Sequence, residues 1–127
     1  MKRVKPDRFV DVPERRHPAS RDLVEKLKVL MKRGWRGRPL LVGEINNEGD
    51  LETIAGVHRA TAAMELGIKI PVVILRERDL PSDTFGEIMW GGVDYEHIGW
   101  VLAEAGLERA AELMRREEEL GGFYRGT

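Results

Sequence analysis

Thr53-Ile54-Ala55-Gly56-Val57-His58-Arg59-Ala60-Thr61-Ala62-Ala63 is the stretch on which the reading of this chain turns. Its first residues are β-branched and suit a strand. Gly56 turns the chain, and Ala60 to Leu66 has high helix propensity before Gly67 ends the run. The expected unit is strand, glycine, helix, with His58 and Arg59 in the first helical turn. The first N–H groups of a helix lack intrahelical partners, and the helix dipole adds partial positive charge there. Gly56 permits close backbone approach, Arg59 can grip phosphate oxygens bidentately, His58 can donate or carry charge, and Thr61 offers a hydroxyl. One reading is therefore a phosphate site built from Gly56, Val57, His58, Arg59 and Thr61. In the other, Gly56 only makes the turn, Arg59 lies on the surface and His58 is a helix-start residue bonded to backbone.

Amino-terminal to this unit, Leu40, Leu41, Val42 and Ile45 read as a strand opened by Pro39, and Leu51 to Ile54 as a second. Asn46-Asn47-Glu48-Gly49 between them tolerates positive φ, so the pair is expected to form a β-hairpin. Leu23, Leu27, Leu30 and Met31 fall on one stripe of a helix expected from about Arg21 to Arg33, with Ser20 as N-cap and Gly34 past its end. Residues 1–19 are expected to be irregular, because Pro6, Pro13 and Pro18 interrupt helices. Val4, Phe9, Val10 and Val12 there suit a short edge strand.

On the carboxyl side, Ile68 to Leu75 is the third apolar segment and contains the longest apolar run, Ile70 to Leu75; Val72, Val73 and Ile74 argue for a buried strand. A short helical turn is expected around Phe85 to Trp90, broken by Gly91-Gly92. Tyr95 to Leu120 reads as helix, divided near Gly106. Ile98, Trp100, Val101 and Leu102 form an apolar cluster that either covers the sheet or makes a dimer contact. The expected class is α+β: a small mixed sheet packed by helices in residues 1–80, with a helical extension, 81–127, packed on the same domain.

The chain has 127 residues, 42% apolar and 34% charged, which suits a globular domain with its own core. It has no cysteine, which excludes disulfides, thiolate metal sites and thiol nucleophiles. The formal net charge of −1 conceals a division. Met1 to Arg38 holds thirteen Lys and Arg against five Asp and Glu, a net of +8; the remainder holds eight against seventeen, a net of −9. Lys2, Arg3 and Lys5 are followed by Pro6-Asp7-Arg8 where a signal peptide would turn apolar, and a six-residue apolar run cannot span a bilayer. The expectation is a cytoplasmic protein with no membrane partner.

From Ser20 to Leu75 the order of parts resembles the ParB/sulfiredoxin-like fold, the ParB N-terminal or ParB-like nuclease family. The resemblance rests on Gly34-Trp35, then Arg38-Pro39-Leu40-Leu41-Val42, then Thr53-Ile54-Ala55-Gly56-Val57-His58-Arg59-Ala60-Thr61-Ala62-Ala63, then Glu65-Leu66-Gly67-Ile68 and Ile70-Pro71-Val72-Val73. In ParB proteins Gly-Glu-Arg-Arg-x-Arg-Ala grips a cytidine triphosphate. Gly56, Arg59 and Ala62 match that motif, while Val57, His58 and Thr61 replace the Glu, first Arg and last Arg. The segment is closer to the Gly-Cys-His-Arg and Gly-x-His-Arg forms of sulfiredoxins and a related free-serine kinase, which use adenine nucleotides. Val57 stands where sulfiredoxin has its nucleophilic cysteine, so sulfiredoxin activity is excluded. The family's Gly-x-x-Gln-Pro element corresponds to Gly34-Trp35-Arg36-Gly37-Arg38-Pro39, which makes Arg38 and Pro39 the base-side candidates. The family's Glu-Asn-x-Gln-Arg motif does not appear after Leu75, and clamping on a centromere in the ParB manner is not expected.

The resemblance implies an ATP- or CTP-type nucleoside triphosphate with Mg²⁺ as ligand, and leaves hydrolysis or phosphoryl transfer open. A kinase needs a carboxylate base near the γ-phosphate. Glu14, Glu25 and Glu44 are the candidates, and the sequence does not choose among them. The basic first third supports an alternative, DNA binding or a nuclease-like activity. A further alternative is a non-catalytic module whose basic part pairs with the acidic helices of another copy, giving a homodimer. His17 and His97 lie far from His58, and no spacing suggests a metal site. Trp35 reads as a packing residue, with base stacking the lesser alternative, and Arg115-Arg116-Glu117-Glu118-Glu119 as a solvated helix face.

Overall fold

The fold is taken from a computed structural model that describes residues 2–9, 18–91 and 94–125. The architecture is α+β. Four strands, β1 (Lys2–Val4), β2 (Leu40–Glu44), β3 (Leu51–Ala55) and β4 (Ile70–Leu75), form one sheet in the order β1-β4-β2-β3. The sheet is mixed: β2 and β4 are parallel, and β1 on β4 and β3 on β2 are antiparallel. Helix α1 (Pro18–Leu30) precedes β2, and α2 (Val57–Leu66) carries the chain from β3 to β4. Helices α3 (Thr84–Trp90), α4 (Tyr95–Glu104) and α5 (Glu108–Arg125) follow.

Strand alternation sends side chains to both faces. Leu40, Val42, Ile70 and Val72 bury against Ala60 and Ala63 of α2 on one face. Leu41 and Leu75 bury against Phe85, Ile88, Ile98, Leu102 and Met114 of α3 to α5 on the other. A bulge makes β3 serve both faces. Val42 pairs with Thr53 but Leu41 pairs with Ala55, so Ile54 is an extra residue. Leu51 consequently faces α2 while Ala55, four residues on, faces the other layer. The bulge re-aims the chain immediately before Gly56.

Several expectations shift. Helix α1 begins at Pro18, three residues before the expected start, because proline is favoured in a first helical turn where its missing N–H costs nothing. Ser20 therefore lies inside the first turn and is not the N-cap. The helix ends at Leu30, and residues 31–33 form a turn before Gly34 at φ 134°. Its buried stripe uses Val24 beside Leu23 and Met31, whereas Leu30 is 57% exposed. Pro6 likewise opens a 3₁₀ turn, Pro6–Arg8. Strand β1 occupies Lys2–Val4, and Phe9 makes a single parallel bridge to Leu51 on the opposite edge. Arg8 supports this crossing by donating from Nε and Nη2 to the Gly49 carbonyl at 3.1 and 3.0 Å. Val10, Val12, Pro13, Glu14, His17 and Gly92 lie outside the described residues.

The hairpin forms as expected, although β2 stops at Glu44, before Ile45. Strand β4 begins two residues after Ile68. A residue in the left-handed conformation, Gly106 at φ 80°, separates α4 from α5. Ile98 and Leu102 cover the sheet, but Trp100 points outward and is 61% exposed. Among the described residues no helix is long and apolar enough to cross a membrane.

Candidate phosphate site at the start of α2

Gly56 adopts φ 87°, ψ 35°, a left-handed conformation that costs an L side chain roughly 1–2 kcal/mol. Its carbonyl accepts the first helical hydrogen bond, from Ala60 N at 2.9 Å. Glycine has no side chain with which to cap the α2 start. The amides of Val57, His58 and Arg59 thus precede the helical ladder, the ordinary condition for an anion to be favoured.

Arg59 is buried, at 5% exposure, which removes the reading of it as a surface residue. Its Nη1 donates to the carbonyl of Arg38 at 2.8 Å, and its guanidinium carbon sits 5.4 Å from the centre of the Trp35 ring. Trp35 Nε1 donates to that same Arg38 carbonyl at 3.1 Å. The carbonyl therefore accepts from a cation and an indole together, which uses both its lone pairs. Gly37, at φ 99°, completes the loop; a Cβ there would stand 3.5 Å from Arg59 Nη1. The phosphate-side candidate Arg59 and the base-side candidate Arg38, twenty-one residues apart, thus meet in one place. Pro39 is buried directly after them, at the start of β2. His58 is half-buried beside Arg59 in the first turn.

Thr61 takes a different role from a ligand hydroxyl. Its Oγ1 donates to the Val57 carbonyl at 2.8 Å, one turn back along α2. Val57 is half-buried and supplies that carbonyl and its own amide. Trp35 packs as expected, touching the clusters on both sides of α2. Its second function, holding Arg59, was not visible in the sequence, although the two glycines around it mark a constrained loop.

Of the acidic candidates, Glu14 lies outside the described residues, and Glu25 and Glu44 are not at this place. Glu44 ends β2, four residues or about 13 Å along the strand from its Leu40 start, and stands 3.4 Å from Arg76 Nε. Glu25 is bound to Arg21 at 2.8 Å in a network centred on Glu65, at the far end of α2. Arg21 and Lys28 lie 2.7 and 3.1 Å from the Glu65 carboxylate and hold it well below the usual range, at about 2. The hydrogen bond from Arg21 is the largest cause. Glu65 in turn raises the Arg21 guanidinium. His97 is exposed near Trp100, and its backbone N–H donates to the Asp94 cap at 2.8 Å. Among the described residues no three His, Asp or Glu side chains are grouped to hold a metal ion.

No family model and no curated protein sequence matches the chain. Among solved structures it is similar to the C-terminally truncated chromosome-partitioning protein ParB from Caulobacter crescentus, solved complexed to the centromeric parS site. The two share 20% identity at a TM-score of 0.46, over 90% of this chain. The chain spans 64% of the length of that structure's chain.

Proposed function

We propose that the start of α2 binds the phosphates of an ATP- or CTP-type nucleotide. In this reading the first-turn amides, His58 and Arg59 meet the phosphates, and Arg38-Pro39 lies toward the base. The observation that carries it is the meeting of Arg59 with the Arg38 carbonyl beside a helix start whose N-cap is a left-handed glycine. The Gly-x-His-Arg string and its ParB/sulfiredoxin-like context support it from the sequence side. Mg²⁺ would arrive bound to the phosphates, as it usually is, with few protein ligands. The proposal concerns binding. Glu25 and Glu44 are both engaged by cations away from the α2 start, so neither is assigned as a catalytic base.

Titration calorimetry with ATP, ADP, CTP and GTP in the presence of Mg²⁺ tests this reading. At least one nucleotide should bind, and Arg59→Ala should weaken it far more than Arg116→Ala, an exposed change on α5. Because Arg59 also supports a loop, His58→Ala serves as a second variant. No heat with any of the four, from protein that melts cooperatively, overturns the reading.

A second reading is DNA binding. The Caulobacter protein was solved on its centromeric site; for this chain the support is its own charge. Lys2, Arg3 and Lys5 are exposed around β1, and Lys32, Arg33 and Arg36 beyond α1. Phosphate contacts by these residues would make a gel shift at low salt disappear as salt rises. Absence of any shift at low salt removes this alternative.

A further inference from the structure

We propose that the chain associates head to tail with a second copy of itself, the basic end of α1 in one copy seating on the acidic α4–α5 face of the next. Two apolar side chains project where α1 ends, Val29 at 75% exposure and Leu30 at 57%. They border a groove of ≈ 440 Å³ shared with Trp35, whose charged members among the described residues are Lys32, Arg33 and Arg36. A large exposed aliphatic pair ringed by cations suits contact with an acidic protein surface that offers apolar depth.

The same chain presents such a surface. Between α4 and α5 lies a cleft of ≈ 450 Å³ with Gly99, Ala103 and Ala111 as small lining residues, and Trp100 as a large exposed one. Glu96 and Glu108 are its acids and Arg115 its cation. Asp94 and Glu104, also exposed, extend the negative charge along α4. Projecting Val29 and Leu30 thus meet small residues, and Lys32, Arg33 and Arg36 meet carboxylates. This complementarity within one polypeptide selects a second copy as the occupant.

The layers of the fold fix the form of the assembly. Helix α1 packs on α2, on one face of the sheet, and α4 and α5 pack on the other. Complementary surfaces on opposite faces make a heterologous contact, so one copy can accept a neighbour on each side and chains extend beyond dimers. The interface shares Trp35 with the support of Arg59, but its test changes Leu30, Lys32, Arg33, Glu96 and Glu108, which lie outside the start of α2, so it fails or holds apart from the phosphate reading.

Sedimentation velocity of the full chain at about 50 and about 500 mM NaCl tests the proposal. The weight-average mass should rise with protein concentration at low salt and return toward monomer at high salt. Lys32→Glu with Arg33→Glu, and separately Glu96→Lys with Glu108→Lys, should each weaken self-association about tenfold or more. Mixing the two variants should restore it, because the reversed patches then complement each other. Leu30→Asp should weaken association with charge elsewhere unchanged, and circular dichroism melts verify that each variant is folded. A wild-type monomer at every concentration in low salt overturns the proposal. So does a variant mixture that stays monomeric, or a low-salt association that requires added DNA.

Discussion

Among the described residues Arg59 is the buried charged one, and its surroundings explain how a cation is kept there. One N–H donates to a carbonyl and the planar group lies over an indole, and each contact offsets part of the loss of water. Arg59→Met keeps the aliphatic stem but deprives the Arg38 carbonyl of its charged donor. The expected loss is about 1–3 kcal/mol of stability by urea unfolding. A loss no larger than that of Arg116→Met would show that the guanidinium holds nothing. Gly56→Ala should cost roughly 1–2 kcal/mol through its left-handed φ alone, measured in the same way. The sequence made Gly56 and Arg59 stand out, because strand, glycine and basic helix start follow one another directly. It did not show Arg59 turned inward, since its acceptor belongs to a loop twenty-one residues earlier. Thr61 shows the same limit at shorter range. A threonine one turn into a helix fits a ligand or a back-bonded hydroxyl equally well in sequence; in the fold its partner is the Val57 carbonyl.

At the scale of elements, α1 and α2 are joined by an apolar seam, Val24 and Met31 against Ala62, and by the Arg21–Glu65–Lys28 ion pairs at its margin. The seam was legible as a stripe, but its phase was displaced. Val24 and Leu30 both suit an apolar stripe in sequence, and only packing against α2 decides that Val24 turns inward. The Glu65 network was not legible, because its members come from two helices. It has a pH signature. The folded carboxyl is lowered to about 2 from its usual 4.5, so the stabilisation is complete above pH 4.5 and is lost as pH falls toward 2. Glu65→Gln should therefore lower Tm by about 2–4 °C at neutral pH, a small effect because the group is part-exposed and screened by water. The difference from wild type should shrink between pH 4.5 and 2. A gap that stays constant across thermal melts in that window would assign the effect to packing and not to charge.

At the scale of the whole molecule, the sheet works because both faces are covered, and the two layers meet it differently. The α2 face is a set of small alanines against branched strand residues. The other face needs α3 drawn close, and Gly43 in the middle of β2 permits this. A Cβ at Gly43 would stand 2.5 Å from Met89 Sδ and 3.2 Å from the Phe85 ring. Nothing in the sequence near Gly43 shows what it is for, since the residues that need the space lie more than forty positions later. The helical segments themselves were legible from their periodicity; which strand residue makes room for them was not. Gly43→Ala should therefore destabilise the protein by about 1–3 kcal/mol, through overpacking and not through strand propensity, which favours alanine slightly. A double-mutant cycle separates the two causes. In a Met89→Ala background the nearest obstruction is gone, so the added methyl should cost markedly less. Equal costs in both backgrounds, by urea unfolding with unchanged m-values, would mean that α3 does not press on β2 through this pair.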